Sequence, residues 1–130
     1  MVADLFHYGH VNFLRQASSH GDFLLVGVHA DEAVESYKRS PILSMKERIA
    51  SVEGCKYVDE VVANAPLQIT REWIEKHNID VIMHGDDVAP KVRDSWYGVP
   101  IEMGIYKSVG YTEGISTTEL ISRIKSAELG

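Results

Sequence analysis

The stretch Asp4-Leu5-Phe6-His7-Tyr8-Gly9-His10 places two imidazoles three residues apart. If residues 7 to 10 open a helix, that spacing puts both rings on one face. Paired imidazoles can bind zinc, relay protons, or donate N–H groups to a phosphate. Zinc asks for at least a third ligand. Asp4 or His84 would serve, but no spacing singles out either. Gly9 would let a ligand come close to the backbone. The plain alternative is a pair of exposed histidines at a helix start.

A second group is Thr112-Glu113-Gly114-Ile115-Ser116-Thr117-Thr118, small and hydroxylated residues ahead of an apolar-periodic run. Free N–H groups at a helix start favour anions, and Ser116, Thr117 and Thr118 add O–H donors. An ordinary hydroxyl N-cap reads the same way. A third group is Lys38-Arg39 with Lys46 and Arg48. These cations could clamp a polyphosphate or simply face water. Asp86 and Asp87 could take a ribose hydroxyl, a magnesium ion or water. Together the groups suit a nucleoside triphosphate attacked at phosphorus, where catalysis is mainly positioning and charge stabilisation.

Such a site needs a frame. Val11, Phe13, Leu14 and Ala17 have helical spacing over residues 9 to 19, ended by His20-Gly21-Asp22. Residues 23 to 28 are a short apolar run, the mark of a strand buried on both faces. Asp31 is expected to cap a helix over 32 to 38. Ser44 and Glu47 form a capping-box pattern before Ile49 and Val52. Residues 58 to 62 and 80 to 84 read as strands. Thr70 caps a helix with Trp73 and Ile74. A weaker strand is expected within 101 to 109. Ser116 or Thr117 caps a last helix whose core face is Leu120, Ile121 and Ile124. This alternation predicts an α/β fold, a Rossmann-like parallel sheet with helices on both faces. Ligands of such sheets sit beyond the carboxyl ends of the strands.

The totals agree with one domain over residues 1 to 130, with 45% hydrophobic and 25% charged residues. The net charge of -6 argues against a nucleic-acid polymer as partner. The single cysteine, Cys55, is expected to be a buried bystander. No secretory h-region or run of 18 apolar residues occurs, so a cytoplasmic protein without a membrane segment is expected.

His7-Tyr8-Gly9-His10 resembles the HxGH motif of the nucleotidyltransferase superfamily. Gly114-Ile115-Ser116-Thr117-Thr118 resembles the signature of its cytidylyltransferase branch, and Lys56-Tyr57-Val58-Asp59-Glu60-Val61 is similar to that branch's RYVDEV motif. The resemblance spans nearly the whole chain and is strongest to phosphoethanolamine, phosphocholine and glycerol-3-phosphate cytidylyltransferases. It implies attack of a substrate phosphate on the α-phosphorus of CTP, with magnesium, giving a CDP-alcohol and pyrophosphate. His7, His10 and Lys38 would then be catalytic. Asp4, Gly9, His10, Arg48, Gly85, Asp86, Tyr111, Gly114, Ile115, Ser116, Thr117 and Thr118 would meet the nucleotide. Asp4, Lys38, Leu67 and His84 would meet the phospho-alcohol. The resemblance also implies a homodimer, with Lys56 to Val61 near the interface.

The chain departs from that pattern in places. Family members carry a strand and a Gly-x-Phe-Asp type turn ahead of HxGH, whereas Met1-Val2-Ala3 alone precede Asp4. A truncated first strand is expected, with a true start upstream. Tyr111 stands where arginine is usual, and Lys56 replaces a second arginine, losing the guanidinium fork. These changes motivate the alternative of a weakly active or non-catalytic nucleotide-binding homologue, or one half of a larger enzyme. An adenylyltransferase is a further alternative. Leu67 follows Asn64-Ala65-Pro66 where choline members carry tryptophan, which leans away from choline. His84-Gly85-Asp86-Asp87 and the stretch from Arg93 to Tyr106 resemble ethanolamine-type members, which favours phosphoethanolamine.

Overall fold

The computed structural model describes residues 1–86, 88–110 and 112–128. The elements run α1 (Tyr8–Ser18), β1 (Leu25–Val28), α2 (Asp31–Glu35), α3 (Met45–Glu53), β2 (Glu60–Ala63), α4 (Arg71–Lys76), β3 (Ile82–Gly85), α5 (Pro90–Glu102), β4 (Tyr106–Val109) and α6 (Thr117–Ser126). The strands pair in parallel, β1 with β2 from Leu25 opposite Glu60, and β3 with β4 from Ile82 opposite Tyr106. This is the expected α/β alternation. Among the described residues the strands form two separate pairs. Met1 extends the first pair along the other edge of β1: its amino group donates to Gly27 O at 2.6 Å and its carbonyl accepts from His29 N at 3.0 Å.

Each pair has its own core. Leu14, Val26, Val28, Val52, Cys55 and Ala3 fill the first, with Phe6, Ile49 and Val61 packed around them. Val26 and Val28 point into it, while Gly27 on the opposite face lies against the Pro66 loop: a Cβ there would come within 2.7 Å of Ala65 Cβ. Ile69, Ile74, Ile82 and Tyr97 fill the second. Cys55 is buried, as its neighbours implied.

Local signals succeeded where a side chain had one evident partner. Ser44 accepts from Glu47 N at 3.2 Å and Glu47 returns the bond to Ser44 N at 2.9 Å, so α3 opens on the expected capping box. Thr70 caps α4 through Trp73 N, and Ser116 caps α6 through Glu119 N. Three expectations are corrected. Asp31 is not a cap, because it lies inside α2 and receives Arg48 instead; Ala30 occupies the cap position. α2 stops at Glu35, which leaves Lys38 in a loop. Residues 90 to 102 form α5, with Pro90 in the first turn where its missing N–H costs nothing. The weaker strand expected within 101 to 109 is there, as Tyr106–Val109. Finally, the α6 face of Leu120, Ile121 and Ile124 is not a core face: no residue of α6 is buried, and Ile124 is 56% exposed.

Pro100 shapes α5. It removes the N–H that would bond Trp96 O, and Tyr97 turns out of helical conformation (φ -116°, ψ 16°). The freed Trp96 carbonyl accepts from Ile69 N at 2.8 Å instead. The loop from Asn64 to Ile69 is thereby held between β1 and α5. Among the described residues, no helix is long and apolar enough to cross a membrane.

Candidate active site

His7 is the N-cap of α1 and His10 stands in its first turn. Gly9 N donates to His7 Nδ1 at 3.1 Å, and His7 N donates to His10 Nδ1 at 3.1 Å. Both Nδ1 atoms are therefore acceptors, and in the neutral rings the proton sits on Nε2 of each. The ring centroids lie 3.9 Å apart, and Phe6 stacks on His10 at 5.3 Å. Burial lowers the pKa of His7. It drives that of His10 down to about 3, helped by the His7 charge and by the cation of Lys38. The pair thus offers two neutral Nε2–H donors at neutral pH, side by side.

Gly9 is required by geometry. A Cβ there would stand 2.8 Å from His7 Cε1, 2.9 Å from His7 Nδ1 and 3.2 Å from Ile115 Cγ2. Its function is to admit the His7 ring over the helix start and to seat Ile115, whose half-buried side chain brings the loop before α6 against α1. Asn12 adds a bond from Nδ2 to Thr112 Oγ1 at 2.8 Å. In the same loop Gly114 takes φ +80°, which favours glycine, and its carbonyl accepts from Arg123. Ser116 is occupied as an acceptor by the α6 cap but keeps its O–H. Thr117 donates its hydroxyl to Asp4 O at 2.8 Å, and Thr118 is exposed.

Asp4 is 3% exposed. Its carboxylate accepts from Ile42 N at 2.8 Å and Leu43 N at 2.9 Å, with Arg39 Nη1 at 3.4 Å. Burial alone would raise its pKa; these donors outweigh burial, and the carboxyl ends below its ordinary value. Lys38, exposed in the same loop, has its Nζ 5.6 Å from the Tyr37 ring centroid. The structure thus gathers His7, His10, Asp4, Lys38 and residues 114 to 118 around the start of α1.

Arg48 has a different place. It is fully buried and donates to Val2 O and His29 O, both at 2.8 Å, and to Asp31. Those bonds and its full burial lock its guanidinium at the end of β1 and leave it no surface to offer a phosphate. Its Nε is buried with no partner among the described residues. His84, Gly85 and Asp86 close β3, where Asp86 N bonds Val109 O and His84 rests on the Tyr97 ring at 5.1 Å. Leu67 is half-buried in the loop held by β1 and α5. Tyr111 and Asp87 lie outside the described residues.

His29 was not singled out by its sequence context, where it merely ends the apolar run of β1. It is 5% exposed, with Nδ1 donating to Ala65 O at 2.9 Å. Burial, then the amino terminus, lowers its pKa to about 3, and the charge of His84 contributes. Histidine at a strand's carboxyl end was the one available signal.

Residues 2–126 match the family model described as cytidylyltransferase-like. The chain belongs to the cytidylyltransferase-like family. Ethanolamine-phosphate cytidylyltransferase of Dictyostelium discoideum is 47% identical over 126 residues, covering 93% of this chain and 35% of that protein. The mouse protein of the same name is 44% identical, covering 93% of this chain and 30% of its own length. Human choline-phosphate cytidylyltransferase A is 39% identical, covering 95% and 34%. This cytidylyltransferase-like chain therefore spans about a third of the length of the curated relatives it matches. A solved structure, the lipopolysaccharide core biosynthesis protein of Thermoplasma volcanium GSS1, superposes with a TM-score of 0.67 at 24% identity, covering 86% of this chain and 91% of that one. It supports the fold.

Proposed function

We propose that this domain transfers CMP from CTP to a phosphorylated small alcohol, with phosphoethanolamine favoured. A phosphate oxygen of the acceptor forms the new bond to the α-phosphorus of CTP. The bond to the β-phosphate oxygen breaks, and pyrophosphate leaves. The observation that carries this reading is the tautomer-fixed pair His7 and His10, two Nε2–H donors in one place. Donors fixed before the reaction stabilise the charge that develops on a pentacoordinate phosphorus. Lys38 would supply a cation, and the hydroxyls of Ser116 and Thr118 stand at the α6 start.

Magnesium would enter with the triphosphate. Among the described residues no group of three or more metal-ligating side chains occurs, and both Asp4 oxygens already accept N–H bonds. No step here runs through a protein-built metal site.

Phosphoethanolamine is favoured over phosphocholine on aromatic grounds. A quaternary ammonium needs open ring faces. Leu67 offers none, and Tyr97 is buried between His84 and Tyr106. A homodimer is part of the reading. It is supported by a groove open to solvent beside Lys56, lined by Phe6, Val11, Cys55 and Tyr57.

The test is pyrophosphate release with CTP and magnesium against phosphoethanolamine, phosphocholine and glycerol-3-phosphate separately. Turnover is expected with phosphoethanolamine, and His10→Ala should lower kcat about 100-fold, the usual cost of one transition-state donor. CTP binding without turnover on any acceptor would replace this reading with a non-catalytic nucleotide-binding domain. Preference for ATP would make it an adenylyltransferase.

A further inference from the structure

Asp4 is expected from its motif to touch nucleotide and acceptor, yet its polar atoms are already engaged. Both carboxylate oxygens accept backbone N–H groups from Ile42 and Leu43, and Arg39 leans on one of them from the surface. Its own carbonyl accepts the Thr117 hydroxyl from the start of α6. The residue is 3% exposed, so it presents almost no surface to a ligand. The backbone on either side is forced: Ala3 has φ 60° and Leu5 φ 48°, left-handed conformations that residues with a Cβ rarely adopt. Such a turn persists only where its surroundings hold it, and here the bonds to Asp4 do so.

Three segments meet at this one residue. His7 follows it by three positions in the same turn. Residues 39 to 43 hang from its carboxylate, directly after Lys38. The loop before α6 hangs from its carbonyl. We infer that Asp4 is a positioning residue that fixes the Lys38 loop against the imidazole pair, and that Thr117 extends the same registration to the α6 start rather than binding nucleotide phosphate. The inference rests on the cytidylyl-transfer reading for its kinetic consequences, but not for its structural ones. Shifting Lys38 alters the side proposed for the acceptor phosphate. Releasing Thr117 alters the side proposed for the CTP phosphates.

Hydrogen exchange on the unmodified protein is the first test. Ile42 is 56% exposed, so its amide should exchange fast unless a buried acceptor holds it. Protection of Ile42 and Leu43 is expected; exchange at unprotected rates for both would overturn the inference without any variant. Asp4→Asn keeps the size but replaces one acceptor with an NH₂ group. It should raise exchange at Ile42 or Leu43, and trypsin cutting after Lys38 and Arg39, each by about tenfold. The KM for phosphoethanolamine should rise by about tenfold while the KM for CTP stays within about twofold. Thr117→Val should do the reverse: unchanged exchange at Ile42 and Leu43, with the KM for CTP raised about fivefold. If Asp4→Asn does not fold, exchange in the unmodified protein and the Thr117→Val pattern decide alone. Equal losses for both substrates in Asp4→Asn, with the loop still protected, would make Asp4 a ligand and overturn the inference. A protein that turns over no acceptor would sink the cytidylyl-transfer reading, while the exchange and trypsin results would still judge the tether.

Discussion

Around β1 and β2 the core is built of small aliphatic side chains, and three polar groups, Asp4, His29 and Arg48, are buried at its margin. Around β3 and β4 the core is larger-sided, with the Tyr97 ring tilted against both His84 and Tyr106 and with Trp73, Trp96 and Met103 packed at its edge. Among the described residues no polar or charged side chain besides those three is buried, so the second core has none apart from the phenol of Tyr97. The two regions hold their loops by different means. In the first, buried charges and imidazoles bond backbone carbonyls and amides one by one, which fixes position sharply and leaves large penalties for a missing partner. In the second, rings fill space and tolerate adjustment. The imidazole pair sits on the first region, where geometry is held most tightly.

That contrast can be broken from the strongest side first. Arg48→Leu removes the donor to Val2 O and His29 O and should cost about 3 kcal/mol, since buried acceptors are left bare. Urea unfolding would read it as a lowered midpoint, and a loss under about 1 kcal/mol would mean the first region is held by packing after all. Acid is the next lever. His10 and His29 titrate at about 3 in the folded protein against 6.5 unfolded. The unfolded chain therefore binds more protons between those values, and stability falls as pH drops through that window. For His29 the limiting slope is about 1.4 kcal/mol per pH unit, and His29→Gln, which retains a donor for Ala65 O, should flatten the profile. Thermal melts from pH 7 to pH 4 would show it; parallel profiles for the two proteins would contradict it.

Packing changes in the second region should be gentler. Ile74→Val shortens a side chain 3% exposed and should cost about 1 kcal/mol, with no change in the KM of either substrate. A KM change as large as that expected of Asp4→Asn would erase the difference between the regions. The smallest effect is a gain. Asn78 has φ 52° just after α4, where Ile79 N bonds Ile74 O and Asn78 N bonds Glu75 O, the pattern of a helix end that favours glycine. Asn78→Gly should add about 0.5 kcal/mol, visible as a slightly raised Tm.

The parts legible in the sequence are those in which one residue type has one local use. Ser44 with Glu47, Thr70, the apolar run of β1 and the spacing of His7 and His10 each depend on neighbours within a turn. Asp4 was legible as important but not in its task, because its partners lie 38 and 39 positions away. Arg48 misleads for the same reason: a cation beside a phosphate site and a cation locking a strand end have the same local sequence. α5 drew no expectation, for Gly98 and Pro100 interrupt it, while α6 read as a core helix from a periodicity that its packing does not use.

Pro100 has a reach beyond the helix it bends. By withholding one hydrogen from Trp96 O it makes that oxygen the anchor of Ile69, and so sets where Leu67 stands on the proposed acceptor side. A relative with an N–H at this position would close its own helix and let the loop go. On the proposed function, acceptor choice in such chains would be written partly in backbone, at a residue remote from the acceptor, and a comparison of pocket side chains alone would overlook it.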